Sequence, residues 1–423
     1  MRASEVLSKR PRVFYGWWVV LAGTVVLFYG GGTFFYGFGV FFNPIREEFG
    51  WPAAITALAF SIYRLEAGIG APLVGFLVDK FGPRRLMLFG VGVVGLGFIM
   101  LSRIDSLLSF YTAFITLSLG FSFSMGGVSQ VAVVNWFRRR LGLALGVMMV
   151  GAGLTGTIAP LLALLISHYD WRTTLVIVGV GAWVVGLPMS MVVRHRPEHY
   201  GMLPDGDEAA DVATNSADSE KYSSTEIEGV HWSKALMSRS FWFVSLASGL
   251  GGVSISAVIV LLVPYLESVG VPREQAAFTI TFLTLSSLIG RLGMGWLGDR
   301  IDKRHLLAVA FIVQALGVLV LSVVTEFWMI GPFLLLFGPA YGGGIPLRPA
   351  LLAGYFGRKY FGTIQGLNQT VLAIGGIAGP YIAALIFDIE GSYQKAWILF
   401  AVLAAVAAGL ILLARPPELE TDI

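Results

Sequence analysis

Cysteine is absent from this 423-residue chain, which removes disulfides, thiol nucleophiles and thiolate metal sites together. Charge is scarce too: Asp, Glu, Lys and Arg make up 13% of residues, too few to clothe a soluble core of this size. Histidine is rare, and its 5 copies do not converge on a metal site. His195 and His199 flank Pro197, where a helix that would aim them together is disfavoured, and His168, His231 and His305 stand alone. No run presents a nucleophile beside a base, so an enzyme is not expected and no cofactor is implied. Two stretches spell the dinucleotide fingerprint, Gly90-x-Gly92-x-x-Gly95 and Gly151-x-Gly153-x-x-Gly156. Both lie inside long apolar runs, where small residues serve close helix packing instead. The formal charge of +3 comes mostly from basic loops and gives no reason to expect nucleic acid.

What is present is apolar length. Apolar residues are 56% of the chain and mean hydropathy is +0.76. Runs of about 20 apolar residues, enough to cross a ~30 Å hydrocarbon core, recur at roughly 14–42, 53–78, 86–102, 108–135, 140–167, 172–194, 240–266, 274–298, 305–324, 328–355, 361–387 and 394–414. They are too long and too unalternating for barrel strands. The expected fold is all-α, a polytopic membrane protein of twelve transmembrane helices in two six-helix bundles, multi-pass in the cell membrane. Placing both termini in the cytoplasm puts most of the 29 Lys and Arg on that side. Arg2, Lys9, Arg10 and Arg12 precede a first span too long for a signal-peptide core, so that span is expected to stay. The halves cover 1–194 and 240–423. Between them, 195–239 gathers Asp205, Asp207, Glu208, Asp211, Asp218, Glu220, Glu226 and Glu228 among small polar residues and reads as a disordered cytoplasmic linker, ending in a short helix over 231–239.

One phrase is written twice, Gly75-Phe-Leu-Val-Asp79-Lys-Phe-Gly82-Pro-Arg84-Arg85 and Gly295-Trp-Leu-Gly-Asp299-Arg-Ile-Asp302-Lys-Arg304, each where an apolar run ends. A duplication of this kind is how fused half-transporters read. Well inside the spans lie four ionisable residues, Arg64, Glu66, Arg291 and Arg348. Each costs about 2.5–3.5 kcal/mol near the bilayer centre even on the lenient scale, so each calls for a partner or a function. Three guanidiniums against one carboxylate leave positive charge seeking an anion, and a planar fork suits a carboxylate. Arg64 and Glu66 lie about 200° apart on one helix and cannot pair well with each other. Arg348 has a second reading: near the end of its span it can snorkel, or bind a carbonyl at a helix break beside Pro346 and Pro349. Polar faces with helical spacing supply candidate lining: Tyr29, Thr33 and Tyr36 on the first span, Gln365, Asn368 and Gln369 on the eleventh. Tyr341, within Gly338-Pro-Ala-Tyr-Gly-Gly-Gly344, is placed where a broken tenth helix would bare its backbone to a ligand.

The repeated phrase resembles the loop signature of the major facilitator superfamily, and the resemblance covers the whole twelve-span layout. It implies that Gly75 and Gly295 allow close packing and that Asp79 and Asp299 face helix N-termini of the opposite half. With Arg84 and Arg304 they would form a gate made in one conformation and lost in the other. A carboxylate so placed is worth roughly 0.3–1 kcal/mol, up to ~2 when partly buried. Tyr15-Gly16-Trp17-Trp18-Val19-Val20 and Asn135-Trp136-Phe137-Arg138-Arg139-Arg140 look like first-helix and fifth-helix signatures of monocarboxylate transporters. Arg291 falls where those proteins and the oxalate/formate exchangers keep a substrate-binding arginine. Two departures matter. Tyr36 and Ser287 stand where proton-coupled members carry a lysine and an aspartate, which leaves Glu66 as the candidate proton carrier. No Lys or Arg lies between Phe361 and Phe387, where oxalate exchangers keep a second cation, so a monoanion is favoured unless Arg64 supplies the second clamp. The expectation is a monomeric secondary transporter of a small organic anion, by proton symport or anion exchange. An efflux carrier of amphiphilic solutes and a non-transporting sensor of organic acids are the alternatives.

Overall fold

The computed structural model describes residues 13–206 and 229–417, and among these there is no strand beyond one isolated bridge, Gly229 to Gly357. In the first half the long helices are α1 (Gly16–Phe49), α2 (Ala53–Phe81), α3 (Pro83–Ser102), α4 (Leu107–Trp136), α5 (Leu141–Tyr169) and α6 (Trp171–Val192). After a short helix Trp232–Met237, the second half supplies α7 (Arg239–Ser268), α8 (Arg273–Gly298), α9 (Lys303–Leu321), α10 (Ile330–Phe356), α11 (Phe361–Glu390) and α12 (Gln394–Leu413). Eleven of these are long and apolar enough to cross a membrane, and α2, at 29 residues, is the remaining long helix.

Local chemistry sets the boundaries. Gly82, at φ 82°, turns the chain out of α2, and Pro83 follows as the first residue of α3, where its missing N–H costs nothing. Ser106 and Ser109 form a reciprocal capping box at the start of α4. Four helices change pitch inside the membrane, α5 through a 3-10 turn over Thr155–Thr157. α1 passes through a π turn over Gly31–Tyr36, α6 through another over Ala182–Gly186, and α4 breaks at Gly126, φ 53°. The break expected in the tenth helix is absent. α10 is one helix through Gly338–Gly344, because those glycines are used for contact: Gly338 meets Ser286, Gly342 the Ser287 carbonyl and Gly343 Met294, all on α8.

The two halves meet at one end. A single buried cluster runs through the first half and continues into the basic-loop end of the second, from Phe241 and Leu307 to Leu347, Phe356 and Ile411. The opposite end of the second half has its own core around Tyr265, Phe333, Phe337 and Trp397. Contact between halves is made by α2 with α11 and by α5 with α8, while Ile158–Tyr169, the far part of α5, packs on α1 and α6 of its own half. The bundle is therefore closed at the basic-loop end, and the halves separate toward the other.

The disordered linker is corrected at both margins. Residues 195–206 carry side-chain and backbone bonds to both halves, and Val230 donates its N–H to Phe356 O at 2.9 Å. Its middle, 207–228 with most of the acidic residues, lies outside the described residues.

Candidate functional site

The closed end is built from two matching contacts. At the first, Asp79 accepts hydrogen bonds from the Gly362 and Thr363 amides, both at 2.8 Å, and from Thr363 Oγ1 at 2.7 Å, at the start of α11. At the second, Asp299 accepts from the Gly142 amide at 2.6 Å and the Leu143 amide at 2.9 Å, at the start of α5. Each carboxylate thus meets the positive end of a helix from the opposite half. Burial pushes the Asp299 carboxyl up, while those two amides oppose it. Glycine makes the approach possible: a methyl on Gly75 would strike the Gly362 carbonyl, and one on Gly295 would lie 2.6 Å from the Gly142 carbonyl oxygen. Of the signature arginines, Arg84 is exposed, and Arg304 is half-buried with an Nε that has no hydrogen-bond partner.

One step deeper, Arg291 of α8 crosses to the first half. It is 4% exposed, donates from Nη1 to Met149 O at 2.6 Å, and buries an Nε with no partner. Gly153 gives it room, since a methyl there would lie 2.7 Å from Nη1. No carboxylate pairs with it among the described residues. Arg348 is 9% exposed; its Nε donates to Gly344 O at 2.9 Å within its own helix, and its Nη1 is buried without a partner. The carbonyl contact read from sequence is therefore present, in an unbroken helix. Both guanidiniums are thus buried with unused donors and no carboxylate partner among the described residues.

Amides and hydroxyls divide between lining and scaffolding. Gln365 donates to Gln130 Oε1 at 2.9 Å, leaving its own Oε1 buried and unpaired, and Asn368 donates to Ser245 Oγ at 3.0 Å. Gln369 is half-buried on the same helix. Tyr29 donates its hydroxyl to Val178 O at 2.7 Å, and Thr33 bonds the Tyr29 carbonyl at 2.9 Å. The hydroxyls of Tyr29 and Thr33 are thus committed to backbone. Tyr341 stacks near Phe337, centroids 6.2 Å apart, beside the second core. Glu66 accepts a hydrogen bond from Ser122 Oγ at 2.9 Å, linking α2 to α4. The side chains of Tyr36 and Arg64 lie outside the described residues.

Several residues at the closed end escaped the sequence reading. Asp205 accepts from the amides of Arg138 (2.9 Å), Arg139 (2.7 Å) and Arg140 (3.2 Å), and Glu198 pairs with Arg358 at 2.9 Å. The usable signal was Pro204-Asp205-Gly206, a turn in which Asp205 takes φ 61°. His195 packs on Gly82, its ring 5.7 Å from that of His199. Burial, then Arg196, His199 and Arg85, hold it down at about 4, so it is neutral near pH 7.

Sequence comparison agrees with this architecture. The family model of the Major Facilitator Superfamily matches residues 20–292 and 244–423. An uncharacterized MFS-type transporter of Bacillus subtilis, YcxA, is 26% identical over 389 residues, covering 89% of this chain and 90% of its own. Monocarboxylate transporter 12-B of Danio rerio is 26% identical over 422 residues, covering 94% and 86%. The E. coli fucose:proton symporter FucP superposes with a TM-score of 0.71 at 15% identity, over 95% of this chain and 99% of that one, which speaks to fold alone. Twelve long helices in two halves and a family match along nearly the whole length lead to one statement: the chain belongs to the Major Facilitator Superfamily of secondary transporters.

Proposed function

We propose that this protein carries a small organic anion, a monocarboxylate, across the cell membrane by alternating access, with both termini in the cytoplasm. The observation that carries the reading is Arg291, 4% exposed, reaching across the halves to Met149 O and lacking a carboxylate partner. A buried guanidinium with spare donors binds a carboxylate in a geometry that a fixed internal carboxylate would otherwise occupy. The family relatives add support, since one is named for monocarboxylates. Gln365, Asn368, Gln369 and Tyr341 are the neutral groups offered to the rest of the solute, and Arg64 is the second cation of the reading. With the basic loops inside, the two gates close the cytoplasmic end and this conformer faces outward.

Coupling is by proton symport or anion exchange. Glu66, hydrogen-bonded to Ser122, is the proposed proton carrier. The test is uptake of labelled lactate, pyruvate, acetate, formate and oxalate into proteoliposomes, with and without an inward proton gradient, by wild type, Arg291→Ala and Glu66→Gln. One anion should enter, the first variant should abolish it, and the second should remove the response to the gradient. Full anion uptake by Arg291→Ala would transfer the reading to efflux of amphiphilic solutes.

A further inference from the structure

The segment that follows α6 does more than connect the halves. Trp136 donates its indole N–H to Arg194 O at 3.0 Å, and Asn135 its amide to His195 O at 3.1 Å. Further on, the three amides of Arg138, Arg139 and Arg140 converge on Asp205, as described above. The Arg194 guanidinium sits between the Tyr15 and Tyr200 rings, 4.0 and 4.2 Å from their centroids. Apart from the Arg194–Tyr200 contact, which is internal to the segment, each of these joins it to the first half. Together they fix residues 194–206 across the mouth of the α4 to α5 loop.

Held there, the segment presents acceptors to the second half. Arg358, in the loop between α10 and α11, places Nη2 on Glu198 Oε1 at 2.9 Å and Nη1 on Asn135 O at 2.7 Å. Both members of the ion pair are about four-fifths buried, at 22% and 19% side-chain exposure, so water screens the pair little. Arg196 of the same segment is a favourable charge for the Asp79 carboxylate without forming an ion pair with it. The fit is incomplete: Glu198 Oε2, Arg196 Nε and His195 Nδ1 are buried without hydrogen-bond partners. Each orphaned group lowers the net gain of closure, which suits a contact that must release in every cycle.

We propose that residues 194–206 are a latch, a socket preassembled on the first half by Asp205, Asn135 and Trp136, into which Arg358 of the second half plugs when the basic-loop end is shut. Rocking of the halves withdraws Arg358 from both acceptors and leaves the Asp205 clamp intact, because that clamp lies wholly within the first half. The duplication offers no second latch among the described residues. The equivalent of the Trp136 bond, Tyr355 hydroxyl to Ala414 O at 2.7 Å, is present, but the chain is described only to residue 417 beyond it. The latch acts on whatever solute is carried and does not depend on the anion reading.

The natural absence of cysteine allows a direct test on the full chain in lipid nanodiscs. Spin labels at Phe81 and Ile301 report the basic-loop end, and labels at Arg103 and Val323 the opposite end; all four positions are exposed. Distance distributions should show Glu198→Gln and Arg358→Gln each moving population toward the state open at the basic-loop end, by roughly 5- to 30-fold in the ratio. Asp205→Asn should move it the same way by a smaller factor. The charge swap Glu198→Arg with Arg358→Glu should return most of the shift. Unchanged ratios in both single variants, or a swap no better than the worse single variant, would overturn the latch. An unchanged ratio in Asp205→Asn would overturn the preassembled socket.

Discussion

The two gates come from one duplicated phrase, yet they are not equal. Asp79 has three donors, two amides and the Thr363 hydroxyl, while Asp299 has two amides, because the residue matching Thr363 is Leu143. Their surroundings differ too. Arg196 is a favourable charge beyond ion-pair distance of Asp79, whereas Asp299 has one favourable charge, Lys303, and one unfavourable, Asp205, neither bonded to it. Duplication thus fixes the position of a gate, and its strength is set by one neighbouring side chain and by what the connecting segment brings near.

The largest effect expected is steric. Gly75→Ala places a methyl against the Gly362 carbonyl, a backbone atom that cannot rotate away, and Gly295→Ala places one 2.6 Å from the Gly142 carbonyl oxygen. Overpacking of this kind costs about 1–3 kcal/mol or more, and here the closed state alone bears it. Label distances at Phe81 and Ile301 should show both variants opening the basic-loop end, Gly75→Ala the more. An equal response would mean that the closer approach at Gly75 carries no extra weight. Next come the carboxylates: Asp79→Asn should shift the ratio by about 2 kcal/mol, each lost charged hydrogen bond being worth roughly 1.5–3 kcal/mol less what the amide oxygen retains. Asp299→Asn should shift it less. The reverse order would break the comparison.

How far the sequence reveals this machinery depends on range. The twelve spans, the duplicated contacts between halves and the burial of Arg291 are legible because each is local: apolar length, a written repeat, a charge where lipid forbids one. Tyr29 looked like a lining residue because helical spacing places it on a polar face, but periodicity cannot show that Val178 O waits for its hydroxyl. The unbroken α10 was misread for a related reason. Gly338, Gly342 and Gly343 are small in order to meet α8, and the same letters spell a helix break. Asp205 was hidden most deeply, since an acidic residue before an acidic, small-residue stretch has the composition of disorder, and only its three amide partners give it a place.

Acid should separate the gates next. His195, on Gly82 beside the Asp79 gate, is held at about 4 from an ordinary 6.5 by burial first and then by Arg196, His199 and Arg85. Docking of the segment on the first half therefore favours the neutral ring, and protonation loosens the socket that Arg358 enters in the closed state. That contribution is fully present above pH 6.5 and is lost as pH falls toward 4. The ring is partly exposed, so screening reduces the effect to about 1 kcal/mol. With the same buffer on both faces of a nanodisc, the closed population should fall between pH 6.5 and 4.5, and His195→Gln should flatten that part of the curve. A slope unaffected by the substitution would assign the titration to another group.

The smallest effect is the most discriminating. Thr363→Val removes one hydroxyl donor from Asp79 and keeps both amides, so the first gate acquires the bonding of the second. The loss should be about 0.5–1.5 kcal/mol, and the reciprocal Leu143→Thr should give back a similar amount if its hydroxyl reaches Asp299. The measurement is the ratio of Asp→Asn effects at the two gates in each background. If Thr363→Val makes Asp79→Asn and Asp299→Asn equivalent, the hydroxyl accounts for the asymmetry. If Asp79→Asn still costs more, the excess belongs to the charge of Arg196 on the connecting segment, and adding Arg196→Gln to the Thr363→Val background should then remove it.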